Sequence, residues 1–457
     1  MSAPAEGRPE DVLDLVAPGA DLIVGMANGE PIAAIDALEA EHERLDGVRI
    51  HQMHAMRSRP HIEGRCGDHL RHVSYFLSEA TRRAVWEGTC DMVPADFSQV
   101  PRIVLERARD PLVLAAASPP DADGWCTLGV NAEYVAALRG KAPFVLEVNE
   151  RMPTTHGDHR IRLDDVAAWY RVDRPLIEVG RRAPDARDEA IAAAIAERVP
   201  DGATLQVGIG AVPDAVCAAL HGHRDLGIHT ELIGEGVMGL IESGAVTGAR
   251  KATVPGKAVA TFTLGTQRLH DWLDGEERVA FHPVDMVNDP RVIAQEPHMV
   301  SVNATTEVDL YGQCASETIA GRPWSGSGGQ ADFATGAVWS TCGEAFVVLH
   351  ATTSKGLSRI RGVFSPRSLT TTHKNIVDHV VTEYGMASLR GRTLEQRARA
   401  LIAIAHPDHR DELERDARAA GLLGRRADPG VRRADGPAAR EERAAPEGSP
   451  SGGAPAA

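Results

Sequence analysis

Residues 202–216 read GATLQVGIGAVPDAV, and residues 19–34 read GADLIVGMANGEPIAA. In each, a Gly-Ala pair opens a short apolar run that closes on Val-Gly, and a turn of small residues follows. Pro213 and Pro31 then stand near the start of a helical pattern. Glycine at a strand end lets the backbone turn sharply, and proline is favoured in the first turn of a helix. Both windows therefore predict a strand, a tight turn and a helix, the opening of an α/β unit. Their recurrence predicts two α/β halves of similar plan.

Outward from these windows, the first half is expected to span residues 1–185. It contains a helical pattern at 31–44 (PIAAIDALEAEHER) and strand-like runs at 103–105 and 112–117. The stretch 173–187 (DRPLIEVGRRAPDAR) reads as the crossing into a second half, 186–424, which opens with the helically spaced DEAIAAAIAERV. Further strands are expected at 258–264 and 345–350, and a helix over 394–422 broken at His406-Pro407. Residues 425–457 are rich in Ala, Pro, Gly and charge with almost no apolar anchor, and are expected to be disordered.

The bulk numbers agree with this organisation. A chain of 457 residues exceeds one compact core, which suggests two or three domains. Aromatics are only 4% of residues, so the cores must be built from Ala, Val, Leu and Ile, as in strand–helix units. A net charge of −15 argues against a phosphodiester polymer as partner, so phosphate recognition should be local. Cys66, Cys90, Cys126, Cys217, Cys314 and Cys342 form no CxxC pair, so neither a zinc site nor a disulfide framework is expected. The start, MSAPAEGRPEDVLDLV, lacks a secretion signal, and no 18-residue stretch is apolar enough for a membrane span. A cytoplasmic enzyme without a membrane partner is the natural expectation.

Five stretches could carry chemistry. The turn Val207-Gly208-Ile209-Gly210-Ala211-Val212-Pro213 can aim backbone N–H groups and a helix dipole at a phosphate or oxyanion. A dinucleotide fingerprint would need a third glycine where Pro213 stands; Glu231 does follow Gly208 by 23 residues, so a nicotinamide reading stays open. In Leu226-Gly227-Ile228-His229-Thr230-Glu231, a lone acid follows a short strand-like run, where open α/β sheets place reactive groups. Taken alone, Glu231 is more simply a helix cap or an ion-pair partner. The loop Trp324-Ser325-Gly326-Ser327-Gly328-Gly329-Gln330-Ala331-Asp332-Phe333 reads equally as a backbone cradle or a flexible loop. In Val381-Thr382-Glu383-Tyr384-Gly385-Met386-Ala387-Ser388-Leu389-Arg390, a structural ion pair explains the acid and the arginine as well as a site does. Residues 302–310 (VNATTEVDL) alternate so as to put Asn303, Thr305 and Glu307 on one face, imperfectly. No GxSxG elbow and no HExxH pair occurs, and His51, His54 and His61 lack a ligand spacing.

Together these motifs resemble the acetyl-CoA hydrolase/transferase family, most closely its 4-hydroxybutyrate coenzyme A-transferase branch. The resemblance runs from about residue 10 to 424. It takes in Ser118-Pro119-Pro120, DGWCTLG at 123–129, Glu147-Val148-Asn149, Met152-Pro153, the GIGAVP turn, His229-Thr230-Glu231, FHPVDMVNDPRVIAQ at 281–295, GSGGQADF and TEYGMASLRG. It implies two coenzyme A-transferase-like (NagB/RpiA-type) α/β domains with mainly parallel sheets, a site between them and a homodimer. It implies that Glu231 attacks an acyl-CoA thioester. Gly208, Gly210, Gly328 and Gly329 would then line the site and supply backbone donors, and Asn303 and Glu383 would position the groups around the nucleophile. The implied reaction moves CoA to a free carboxylate, of acetate or 4-hydroxybutyrate type, by ping-pong kinetics through a glutamyl-CoA thioester. No cofactor is implied beyond the CoA thioester as co-substrate, and no metal. Acyl-CoA hydrolysis is the nearest alternative, because water competes for the same intermediates; a non-catalytic acyl-CoA binder and an NAD-dependent enzyme stand behind it. Two departures from the family pattern bear on acceptor choice. Gly234-Glu235-Gly236 stands where relatives carry a Ser-Asp-Gly-like turn, and Ser354-Lys355-Gly356-Leu357-Ser358 is short.

Overall fold

A computed structural model describes residues 4–424; the C-terminal stretch expected to be disordered lies outside the described residues. Each of the two opening windows becomes the first strand of its own sheet. Strands β1 (Asp21–Val24), β2 (Val48–Gln52), β3 (Leu70–Ser74), β4 (Cys90–Met92), β5 (Leu112–Ala117), β6 (Phe144–Asn149) and β7 (Ala168–Val172) make one sheet in the order β4-β3-β2-β1-β5-β6-β7. Every pair in it is parallel. Leu112–Ala117 reads LVLAAA and is buried throughout, the continuous apolar run of a strand covered on both faces.

The second sheet contains β8 (Thr204–Val207), β9 (Gly227–Ile228), β10 (Met299–Ala304), β11 (Glu344–Val348), β12 (His379–Thr382) and β13 (Gly385–Ser388), in the order β9-β8-β10-β11-β12-β13. It is parallel except for the β12–β13 hairpin. The helices that matter here are α1 (Ile32–Ala40), α2 (Glu79–Glu87), α3 (Val100–Arg107), α4 (Ala186–Ala196), α5 (Ala211–Ala219), α6 (Gln330–Trp339), α7 (Leu394–Ala403) and α8 (Arg410–Ala419). The mainly parallel α/β class is the one the sequence predicts. The largest apolar cluster draws on both sheets: Ile23, Val113 and Leu146 belong to it with Leu205, Val302 and Phe346. Among the described residues, no helix is long and apolar enough to cross a membrane.

Three local expectations need correction. Residues 103–105 are not a strand but the middle of α3, which has Pro101 in its first turn and buries Val104. A three-residue apolar run is too short to separate the two periods. The run 258–264 is two strands, Ala258–Ala260 and Phe262–Thr263, which pair with different partners. Asn303 and Glu307 do not share one strand: β10 ends at Ala304, and a separate strand, Glu307–Asp309, follows a turn. The break at His406-Pro407 does fall between α7 and α8.

Candidate active site

In each sheet the chain first adds strands to one side of the opening strand and then crosses to the other side. The reversal falls between β1 and β5 in the first sheet and between β8 and β10 in the second. Loops leaving the carboxyl ends of two such strands diverge and open a crevice, the usual ligand site of an open α/β sheet. In the second sheet that crevice is a cavity of about 280 Å3. Its lining includes Gly208 beyond β8, Asn303 near the end of β10, Glu231 beyond β9, and Gly326 to Gln330 at the start of α6.

The segment His229-Thr230-Glu231 is pinned at every residue. The His229 Nε2–H donates to the Val287 carbonyl at 2.8 Å. The Thr230 hydroxyl donates to the Val207 carbonyl at 3.0 Å, which ties the segment to β8. The Glu231 carbonyl accepts from the N–H groups of Thr261 and Phe262 at 3.0 and 3.2 Å. Beneath this, the buried Lys251 ammonium donates to the Ile228 carbonyl at 2.6 Å. With its backbone held on both sides, Glu231 has little freedom beyond its own rotamer.

Its carboxylate faces the cavity. Asn288 Nδ2 donates to Oε2 at 2.7 Å, and the Gly329 N–H donates to the same carboxylate. Burial pushes this acid up to about 7, against the pull of those two donors. A Cβ on Gly329 would collide with both Glu231 Oε2 and Asn288 Nδ2, so only glycine lets this backbone come so close. Asn288 is itself fully buried, and its Oδ1 has no partner among the described residues. Beside it, Gln206 and Asn303 exchange side-chain hydrogen bonds at 3.2 and 3.0 Å and form an amide pair on the cavity wall.

The glycine loop is clamped from the first half of the chain. The Gly328 carbonyl accepts from the Phe97 N–H at 3.0 Å, and the Ser327 hydroxyl donates to the Ala95 carbonyl at 2.6 Å. Asp332, one turn into α6, accepts from the Ser98 N–H at 3.1 Å and the Ser98 hydroxyl at 2.9 Å. Burial pushes Asp332 up to about 8, with the charges of Asp96 and Glu231 adding to the effect. Phe76 closes this side, its ring in van der Waals reach of Gly328.

Five of the residues singled out from sequence thus meet at one cavity: Gly208, Glu231, Asn303, Gly328 and Gly329. Gly210 is exposed at the N-cap of α5 and is not among the cavity's lining residues. Glu383 is not a lining residue either; beyond β12 its carboxylate accepts from the Ala351 N–H at 2.8 Å. Nearby, Asp185, Asp188 and His350 bring ligand-type atoms within 4.8 Å of one another. Asp185, however, caps α4 and pairs with Arg187 at 2.8 Å, and His350 bonds Asp188 at 2.7 Å, which accounts for the group without a metal. Sequence reasoning did not single out Asn288, Gln206, Phe76 or the Ser98–Asp332 pair. Asn288, Gln206 and Asp332 each lie inside a stretch quoted above, but nothing in those stretches set them apart from their neighbours.

The fold and the site define an α/β protein with a shielded carboxylate, flanked by main-chain and amide donors, at the switch point of a parallel sheet. Residues 7–177 match the acetyl-CoA hydrolase/transferase N-terminal domain and residues 265–417 the corresponding C-terminal domain; the chain belongs to that family. It is 40% identical over 412 residues to a succinyl-CoA:cyclohexane-1-carboxylate CoA transferase of Geobacter metallireducens, covering 90% of this chain and 94% of that one. It is also 40% identical to a 4-hydroxybutyrate coenzyme A transferase of Clostridium kluyveri, over 86% of this chain and 92% of the relative. Among solved structures, RipA from Yersinia pestis superposes with a TM-score of 0.86 at 34% identity, covering 91% of this chain and 98% of RipA.

Proposed function

We propose that this chain transfers coenzyme A from an acyl-CoA to a free carboxylate, with Glu231 as covalent nucleophile. The observation that carries the reading is the Glu231 carboxylate itself, facing the cavity with donors from Asn288 and Gly329 already aimed at it. Family membership and relatives named as CoA transferases support the reaction class.

The chemistry needs a carboxylate because the first product must be an anhydride. Glu231 adds to the thioester carbonyl, and the oxyanion collapses to a mixed anhydride and CoA thiolate. The thiolate then attacks the glutamyl carbonyl carbon, releasing the donor acid as a carboxylate and leaving a glutamyl-CoA thioester. An acceptor carboxylate attacks that thioester and expels CoA thiolate, which adds to the acyl carbonyl and frees Glu231. No proton is gained or lost, thioester energy is conserved, and the kinetics are ping-pong. In the two steps at the glutamyl carbon the oxyanion forms on a Glu231 oxygen, so the Asn288 and Gly329 donors are placed to stabilise it. One such donor is typically worth about 3–4 kcal/mol of barrier.

Exchange of CoA between an acyl-CoA and an added carboxylate, followed in wild type and variants, tests the reading. Glu231→Ala is expected to abolish exchange, and Glu231→Asp to lose about a hundredfold or more, since withdrawing the carboxylate by roughly an ångström misaligns the attack. Near-normal exchange by Glu231→Ala would refute it. Release of free CoA without any acceptor acid would instead favour the hydrolase alternative.

A further inference from the structure

We infer that the buried Lys251–Glu296 ion pair positions the reacting groups for CoA transfer: it joins the strand that leads into Glu231 to the segment that carries Asn288, and so sets the nucleophile against its amide donor. The inference rests on the CoA-transfer reading above and adds to it two positioning residues that lie outside the cavity lining.

Neither side chain has exposed surface, and Lys251 Nζ stands 3.7 Å from Glu296 Oε1. On one side the Lys251 ammonium donates to the carbonyl of Ile228, the last residue of β9 and three positions before Glu231. On the other, Glu296 follows Asn288 by eight positions, with one short helix, Pro290–Ile293, between them. Its Oε2 accepts from the Ala252 N–H at 2.8 Å, and its Oε1 accepts from the Thr253 N–H at 3.1 Å and from the Thr253 hydroxyl. His229 spans the same gap. Its Nδ1 lies 3.8 Å from Glu296 Oε1, while its Nε2–H holds the carbonyl of Val287, the neighbour of Asn288. Burial and the Lys251 charge push this imidazole down to about 3, so the ring is neutral, and its one proton is on Nε2 because a carbonyl can only accept.

An ion pair taken wholly out of water is a weak way to gain stability, and an apolar pair of similar volume often serves a fold as well or better. The cost is visible in Lys251, which burial pushes down to about 8 against the pull of Glu296. What an apolar pair cannot do is grip a carbonyl and N–H groups in fixed directions. Here the grips run in series. Glu296 holds the 251–253 loop, and Lys251 of that loop holds the strand end before Glu231. The two ends of the series meet again where Asn288 Nδ2 stands 2.7 Å from Glu231 Oε2. A ring closed in this way fixes that distance. Opening it at the ion pair frees one segment to shift against the other, and a shift of roughly an ångström takes the amide off the oxyanion it stabilises.

The double variant Lys251→Met/Glu296→Gln, made in the full chain, removes both charges while keeping shape and an acceptor for the 252–253 N–H groups. It is expected to melt within about 4 °C of wild type. Its kcat for CoA exchange is expected to fall about tenfold or more, with the acyl-CoA KM within about twofold. The loss acts through the Asn288 amide, so in an Asn288→Ala background the same two substitutions are expected to cost less than about threefold. Glu296→Gln alone keeps the Lys251 bond to Ile228. It is expected to lose about threefold in kcat, a loss that vanishes in the Asn288→Ala background, and it replaces the double variant in the cycle should that one not fold. An unchanged kcat, or a loss as large without the Asn288 amide as with it, overturns the inference and leaves the pair a structural one. Wild type that exchanges no CoA with any donor would sink the CoA-transfer reading and this inference with it.

Discussion

Glu231 has to be two things at once, an anion able to attack and an acid that the protein has taken out of bulk water. Burial pushes it up to about 7, and the Asn288 amide and the Gly329 N–H pull the other way. Only the ionised form attacks, so kcat/KM for an acyl-CoA is expected to rise about tenfold per pH unit below the inflection and to level off above about pH 7. Asn288→Ala removes a donor that favours the anion, so its inflection is expected at higher pH. A flat profile between pH 5.5 and 8 would contradict this assignment of the titrating group. Local pattern alone left Glu231 a helix cap or an ion-pair partner, and it was the family resemblance that singled it out. Asn288 was singled out by neither, because an amide in an Asn-Asp-Pro turn looks like any other loop residue until the fold sets it against Oε2.

At the scale of elements, the two windows that open the sheets have different fates. Both end at a switch point, yet in the first sheet the crevice is filled by the chain itself. There the Glu133 carboxylate accepts from the Met26 N–H at 2.9 Å and from the N–H groups of Tyr134 and Val135. In the second sheet the corresponding space is open, and Glu231 faces it. The repeat predicted two α/β halves of similar plan, and local pattern could not say that only one would open at its switch point. Nor could it find the clamp on the glycine loop, because Ser98 and Asp332 are 234 positions apart and only Asp332 lies in a quoted motif. With Asp332 pushed up to about 8, its carboxyl is mostly neutral at pH 7, and asparagine is a fair mimic that keeps an acceptor for Ser98. Asp332→Leu removes both acceptors and is expected to lose about a hundredfold in kcat at pH 7, through a shifted Gly329. Asp332→Asn is expected to lose far less. Equal losses in the two variants would mean that the hydrogen bonds to Ser98 do not position the loop.

At the scale of the molecule, the α/β class was legible from composition and from the repeat, and the mainly parallel sheets from the family resemblance. The joining of the two sheets was not, because a shared core depends on contacts that sequence spacing does not encode. One apolar cluster contains Ile23 and Leu146 of the first sheet and Leu205 and Phe346 of the second, while the clamp at residues 95–98 adds polar ties. Thermal unfolding followed by calorimetry is therefore expected to show one cooperative transition rather than two. Two separated transitions would show that the sheets melt as independent units and that the shared cluster contributes little.

A covalent link between enzyme and coenzyme is the most direct consequence of the chemistry. Protein incubated with an acyl-CoA, denatured in acid, digested and examined by mass spectrometry should carry a CoA-sized adduct on the peptide that contains Glu231, and Glu231→Gln should carry none. A wild-type protein that turns over without that adduct, or bears it on another peptide, would contradict Glu231 as the nucleophile.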